Sequence, residues 1–477
     1  MKRASTNPWV ILVLICFAQF MVVLDATVVN VALPSIQKDL GMTEANLQWI
    51  VNAYTLVFGG FLLLGGRAGD LLGRKRLFLG GVIVFTAASL LDGLSTSSGM
   101  LIGARSLQGL GAAFISPAAL AIISTTFKEG SDRAKALGVW AAIAIGGSAI
   151  GLVLGGALTQ AFSWPWIFFI NVPVGVAVFF LSLRLVPESK DEVAHRSFDI
   201  PGAITVTGGL MALVYAIVQT EQKGWGSAQT IVTFLVAVAL LVGFVLIELR
   251  AKAPLVRLSI FRVRSLRAAN IVMFLVGSGL FAMFFFNSLY IQRVLGYGPL
   301  KAGLAFLPFT GGIMLSAGLA SAFGPRVGVR IISAIGMVIA AGGLLLLTQI
   351  PVHGTYLANV LPPLLLVSFG LGAVFVSLTL VATTGLADDD QGLASGLFNT
   401  SQQIGGALGL AILSTIAASH TSDSSHAQLV RGFHWAFAGS AAFMLAALLA
   451  LVTLLRQSDV ARIEQTAEDQ GVTVAAA

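Results

Sequence analysis

Apolar residues run along this chain in long uninterrupted stretches, without the alternation of a half-buried strand or the one-sided stripe of a soluble helix. A bilayer core takes roughly 20 apolar residues as helix. The run from Trp9 to Leu33 is long enough to cross it, and thirteen more follow. The predicted spans are approximately 9–33, 48–66, 77–97, 101–124, 136–160, 167–186, 202–219, 230–249, 268–291, 301–323, 330–349, 358–384, 393–417 and 434–456. The fold class expected is an all-α polytopic membrane protein of fourteen transmembrane helices.

Composition agrees: 57% of the 477 residues are apolar and 10% charged, against about 25% charged in soluble domains. No sizeable soluble domain is left over, which argues against a non-transporting receptor or scaffold. The net charge of +7 lies in short loops between spans, so nucleic acid is not the expected partner. The single cysteine, Cys16, sits in the first span, so no disulfide forms within the chain. The Met-Lys-Arg start resembles a signal-peptide n-region, but the apolar run behind it is too long, and the first helix is expected to stay attached. With both termini cytoplasmic, 22 Lys and Arg fall inside and only Lys38, Lys223, Arg293, Lys301 and Arg431 outside, with Arg105 within a span. This asymmetry predicts a multi-pass protein of the inner (cytoplasmic) membrane with both ends cytoplasmic.

Spans 1–6 and 9–14 read as two copies of one unit. Gly69-Asp70-Leu71-Leu72-Gly73-Arg74-Lys75-Arg76 follows span 2, and Gly324-Pro325-Arg326-Val327-Gly328-Val329-Arg330 follows span 10. Span 5 carries Gly147, Gly151, Gly155 and Gly156, and span 13 carries Gly405, Gly406 and Gly409. Such repetition is the signature of a repeat-built transporter. The expected domains are a six-helix bundle over 1–187, an inserted helix pair with flanking cytoplasmic segments over 188–267, a second six-helix bundle over 268–456, and a cytoplasmic tail over 457–477.

An acid within a membrane helix costs on the order of 2.5–3.5 kcal/mol and marks a functional site by default. Asp25 is such an acid, roughly 13 Å below the outer end of span 1 if that end is Pro34. Arg105, Gln108, Gly109 and Ala112 share one face of span 4, and Asp92 lies near the outer end of span 3. Asp25, Arg105 and Asp92 therefore occupy the same half of the first bundle. A nearby cation favours the charged carboxylate and burial favours the neutral one, which makes a proton site that a conformational change can tip. The alternatives are a static ion pair for Asp25 and Arg105, and a solvated interfacial acid for Asp92. Asp70, Gly73, Arg74 and Lys75 either hold the cytoplasmic side shut or only anchor topology. Gly109, Gly147, Gly151, Gly155 and Gly156 suit close helix packing. Asn30, Gln108, Asn171, Phe284, Asn287, Asn399 and Gln403 are the candidates for lining a substrate cavity, although Asn171 fits a helix-packing hydrogen bond equally well. Asp388-Asp389-Asp390 reads as a solvated turn rather than a metal site. No zinc spacing, nucleophile elbow or Walker loop is present, so neither an enzyme nor a cofactor is expected.

Leu24-Asp25-Ala26-Thr27-Val28-Val29-Asn30-Val31-Ala32-Leu33-Pro34 resembles the helix-1 signature of the fourteen-helix drug:proton antiporters of the major facilitator superfamily. Gly69 to Arg76, Arg105 to Gly111, Gly147 to Gly156 and Trp164 to Gly175 resemble further motifs of that family, so the likeness covers nearly the whole chain. It departs at Leu152, where a proline is usual, at Pro165, where an arginine is usual, and in the absence of second-half carboxylates that some members carry. The resemblance implies a monomer that exchanges inward-moving protons for outward-moving amphipathic compounds by rocking of two halves. A dedicated exporter of one endogenous product, such as an antibiotic or a lipid, fits the same residues.

Overall fold

A computed structural model describes residues 7–127, 131–189, 199–251, 254–383, 388–423 and 425–455. The expected tail, 457–477, and the side chains of Asp70 and Asp388 to Asp390 lie outside the described part. Within it, every predicted span is a helix: α1 Pro8–Leu40, α2 Trp49–Leu72, α3 Arg74–Gly93, α4 Ser98–Thr126, α5 Ser131–Ala161, α6 Trp166–Leu185, α7 Ile200–Lys223, α8 Ala228–Arg250, α9 Arg264–Val294, α10 Pro299–Ala305 with Leu307–Val327, α11 Val329–Leu347, α12 Tyr356–Val360 with Leu361–Thr383, α13 Asp388–Ser419 and α14 His426–Leu454. Among the described residues, thirteen helices have the length and composition to cross a membrane. The fourteenth, α5, is 31 residues long.

The helices outrun the apolar stretches because polar residues cap them. Asn7 accepts a hydrogen bond from the Trp9 amide at 3.0 Å and Pro8 opens α1, both favoured where the first N–H groups lack partners. At the far end Gly41 takes φ 60 and closes the helix. Pro34 does not end α1, contrary to the sequence expectation; the helix continues to Leu40. A proline removes one backbone bond and bends a helix, but flanking turns carry it through. Asp25 therefore lies about 22 Å from the true end of α1, deeper than Pro34 implied.

Contact density divides the chain into two compact units. The first comprises Met1–Met211, Ala239–Leu255 and Gly298–Leu304; the second comprises Ala212–Val238, Val256–Tyr297 and Ala305–Ala477. Residues of α7 and α8 fall in both. Inside each unit the same pairings recur. In the first, α1 packs on α5 and α6, α4 on α2 and α3, and α3 on α6. In the second, α9 packs on α13 and α14, α12 on α10 and α11, and α11 on α14. The linking turns match too: Gly73 joins α2 to α3 at φ 106, ψ 130, and Gly328 joins α10 to α11 at φ 91, ψ 136. Only glycine enters that region of backbone space without strain. The repeat read from the sequence is thus a repeat of backbone geometry. On α8 only 11% of the most apolar stretch is buried, leaving Ile231, Leu235, Val238, Val242 and Leu249 exposed as a lipid-facing surface.

Lipid tails are as apolar as leucine, so helices in a bilayer associate by close packing. A Cβ at Gly111 of α4 would stand 2.6 Å from the Phe85 amide nitrogen of α3, whereas a Cβ at Gly80 meets nothing within 4 Å. Gly111→Ala is therefore expected to lower stability by about 1–3 kcal/mol through overpacking. Gly80→Ala is expected to leave it unchanged or raise it by up to about 1 kcal/mol through helix propensity. Thermal unfolding of the two variants in detergent, beside the parent, checks the contrast.

Candidate functional site

Four of the six helices of the first bundle converge on one charge. Arg105 of α4 is 1% exposed, and a guanidinium stays protonated in proteins, so its N–H groups need acceptors from the protein itself. Its Nη1 donates to Asp25 Oδ2 on α1 at 2.5 Å and to Gln108 Oε1 one turn along α4, and its Nε donates to the carbonyl of Ile50 on α2 at 3.1 Å. The guanidinium carbon stands 4.4 Å from the centre of the Tyr54 ring on α2 and 5.6 Å from that of Phe168 on α6, distances at which ring faces attract a cation.

Asp25 is fully buried and is the hub of a second set of bonds. Its Oδ1 accepts from Gln108 Nε2 at 2.8 Å and from Asn171 Nδ2 of α6 at 3.2 Å. The same two amides donate to Ser89 Oγ of α3, at 2.6 and 3.3 Å. Three donors on one carboxylate, one of them charged, match the ionised form. Removing either partner of such a buried pair strands the other, at a cost of about 3–5 kcal/mol.

Asp92 differs. It is also fully buried, which rules out the expected solvated acid at the interface. Neither carboxylate oxygen has a hydrogen-bond partner among the described residues. It lies within the electrostatic reach of Arg105 and Asp25.

The remaining candidates divide by location. Gln108 and Asn171, both candidates for lining a substrate cavity, are bonded to Asp25. Asn30 turns its amide back to the carbonyls of Ala26 and Thr27 on its own helix. Asn287 is fully buried and donates to the Met283 carbonyl at 3.0 Å. Phe284 packs against Phe306 and Phe309, with ring centres at 5.5 and 4.8 Å. Asn399 borders a cavity of about 250 Å³ in the second unit, with Met273, Phe375, Thr379, Ser395, Phe398 and Gln402. Gln403 is half-buried and outside that lining. Each candidate packing glycine meets a neighbour: Gly109 the Tyr54 carbonyl, Gly147 Phe20 and Val23, Gly151 Thr27 and Leu24, Gly155 Val28, and Gly156 Pro299 and Leu300.

The basic turn after α2 has a partner that the sequence did not reveal. Glu188, just past α6, reaches the start of α3, where its Oε1 accepts from the Lys75 amide at 3.1 Å and its Oε2 stands 3.6 Å from Arg76 Nε. The Arg74 amide donates to the Ser189 carbonyl at 2.9 Å, and Lys75 Nζ to the Leu183 carbonyl at 2.9 Å. A carboxylate at a helix N-terminus meets unpaired N–H groups and the positive end of the dipole. A Cβ at Gly73 would come within 2.8 Å of the Glu188 carboxyl carbon, so a glycine makes room for it. Tyr54, Ser89 and Phe168 were also missed; the one available signal was spacing, since Ser89 precedes Asp92 and Phe168 precedes Asn171 by one helical turn.

The match to known proteins covers the whole assembly. The family described as Major Facilitator Superfamily matches residues 15–410. The cephamycin export protein CmcT of Amycolatopsis lactamdurans is 42% identical over 91% of this chain and 90% of its own length. The puromycin resistance protein pur8 of Streptomyces alboniger is 41% identical over 87% of this chain and 82% of its own. Tetrameric PepTSo2, a crystal structure, shares the fold at a TM-score of 0.64 with 16% identity, over 93% of this chain and 97% of that one. The repeated bundle, the buried cluster around Arg105 and the similarity over nine-tenths of its length make this chain a member of the Major Facilitator Superfamily, among that superfamily's antibiotic and multidrug exporters.

Proposed function

We propose that this protein is a proton-coupled antiporter that carries amphipathic organic compounds out across the cytoplasmic membrane by alternating access, working as a monomer with both termini inside. The observation that carries the reading is Asp25, a fully buried carboxylate in a membrane helix, held by Arg105, Gln108 and Asn171. A buried charge so placed is stable only while its donors stay, so any helix movement that withdraws Arg105 makes protonation favourable, and its return expels the proton. That is the coupling an antiporter needs. The basic residues at the turn after α2, with Glu188 bonded to the Lys75 amide and beside Arg76, are suited to holding the cytoplasmic side of the first bundle together as the transporter changes state. Asp70, Gly73, Arg74 and Lys75 are assigned to that gate.

The aromatic residues Phe375 and Phe398, with the amides Asn399 and Gln402 beside them in the second-unit cavity, favour large apolar compounds that are neutral or singly charged. Burying apolar surface contributes about 25 cal/mol per Å², whereas a second buried charge without a partner is costly. A second reading, a dedicated exporter of one antibiotic, is favoured by the likeness to the cephamycin export protein. Efflux of a panel of dyes and antibiotics from cells making the chain, with and without a protonophore, separates the two: several unrelated substrates support the multidrug reading and a single one the dedicated reading.

Asp25→Asn should abolish pH-gradient-driven efflux in proteoliposomes while the protein remains folded. Wild-type transport by a well-expressed variant would end the proton-coupling reading. Asp70→Ala, Arg74→Ala and Glu188→Gln should slow turnover more than they weaken substrate binding, because they act on the balance between states. Binding affinity and turnover measured side by side check the split.

A further inference from the structure

Arg105 is one buried cation among two buried acids. Asp25 accepts three hydrogen bonds, and Asp92 has none on either oxygen although it is fully buried. Among the described residues, the charged groups that act on Asp92 are Arg105 of α4 and Asp25 of α1. A single guanidinium neutralises a single carboxylate. The second acid, desolvated and without donors, fits its surroundings only as the neutral acid.

We infer that Asp25 and Asp92 share one proton across Arg105, with Asp92 holding it in this state and Asp25 receiving it when Arg105 changes partner. The inference deepens the antiport reading and rests on it. Ser89 is tied to the Asp25 cluster through two shared amides. It lies one turn before Asp92 on α3, so the two side chains are neighbours, and its Oγ accepts from the same Gln108 and Asn171 amides that hold Asp25. As Arg105 turns from Asp25 to Asp92, the proton leaves Asp92, whose O–H bond breaks, and a new O–H bond forms on Asp25. Asp92 is then the anion that Arg105 must neutralise. The cluster stays neutral throughout, which keeps the transfer affordable in a low-dielectric interior. Since Asp92 is the last residue but one of α3, the acid that holds the proton is the one nearer the end of the bundle predicted to face outward.

Infrared spectra of the purified protein read this without any substrate. The wild type at neutral pH should show a protonated-carboxyl band that Asp92→Asn removes. Asp25→Asn should remove it as well, because Arg105 then requires Asp92 as its anion. Asp92→Ser serves as a second variant, and thermal unfolding beside the wild type checks that each is folded. A band unchanged in folded Asp92→Asn or Asp92→Ser overturns the inference, as does one that persists in Asp25→Asn. The parent reading is tested separately with ethidium as the probe in proteoliposomes. If Asp25→Asn stops pH-driven ethidium efflux while the Asp92 band is absent from the wild type, antiport stands and the shared proton falls. If Asp25→Asn leaves that efflux intact, antiport falls, and with it the inference that rests on it.

Discussion

A guanidinium sealed inside a helix bundle sets the terms for much of the first unit. Arg105 does not lose its charge at any physiological pH and has no access to water, so each surrounding helix must supply an acceptor, a ring face or an anion. α1 supplies Asp25, α2 the Ile50 carbonyl and the Tyr54 ring, α4 its own Gln108, and α6 the Phe168 ring. These groups fix the rotation of four helices about their axes, because turning any one by a third of a turn would aim its group away. Apolar packing between membrane helices is weakly directional. The buried charge gives the bundle a register that Leu and Val alone would not.

The same requirement makes the unit responsive. Interactions with a buried charge are strong when complete and expensive when partial, so the cluster has few tolerable arrangements rather than a continuum. Two acids and one cation admit two neutral states that differ only in which acid holds the proton. The donors Gln108 and Asn171 touch both Asp25 and Ser89. Glycines let the helices meet closely: Gly151 and Gly155 of α5 lie against α1, which carries Asp25, and the matching Gly405 and Gly409 of α13 lie against α9 in the second unit. A side chain at those positions would hold the helices apart.

The fold was legible because a bilayer imposes a simple code: each span announces itself as a run, and the repeat shows in Gly73 and Gly328, whose shared backbone conformation only glycine tolerates. The hub of the site was legible for a related reason, since any charge inside an apolar run stands out. The neighbours of that hub were harder to read. Gln108 and Asn171 were visible as polar residues in spans, but nothing local told whether they face an open cavity or a carboxylate. Ser89, Tyr54 and Phe168 are ordinary residues in membrane helices and gain meaning only from what Arg105 touches. Asp92 was placed with Asp25 and Arg105, but its burial was not legible from its depth along α3, because burial is decided by the helices around it.

Glu188 shows the same limit at the surface. A lone glutamate after a helix carries no periodic signal, yet it cradles the N-terminus of α3 from more than a hundred residues away in sequence. Its contacts are with backbone amides and a screened arginine, so it contributes little to stability through charge alone. What it does control is geometry. It ties the end of α6 to the turn between α2 and α3, so these segments move as one piece. The same two helices carry Ser89 and Asn171 of the buried cluster. The exposed clasp at one end of α3 and the buried cluster at the other are then two anchors of the same helix pair.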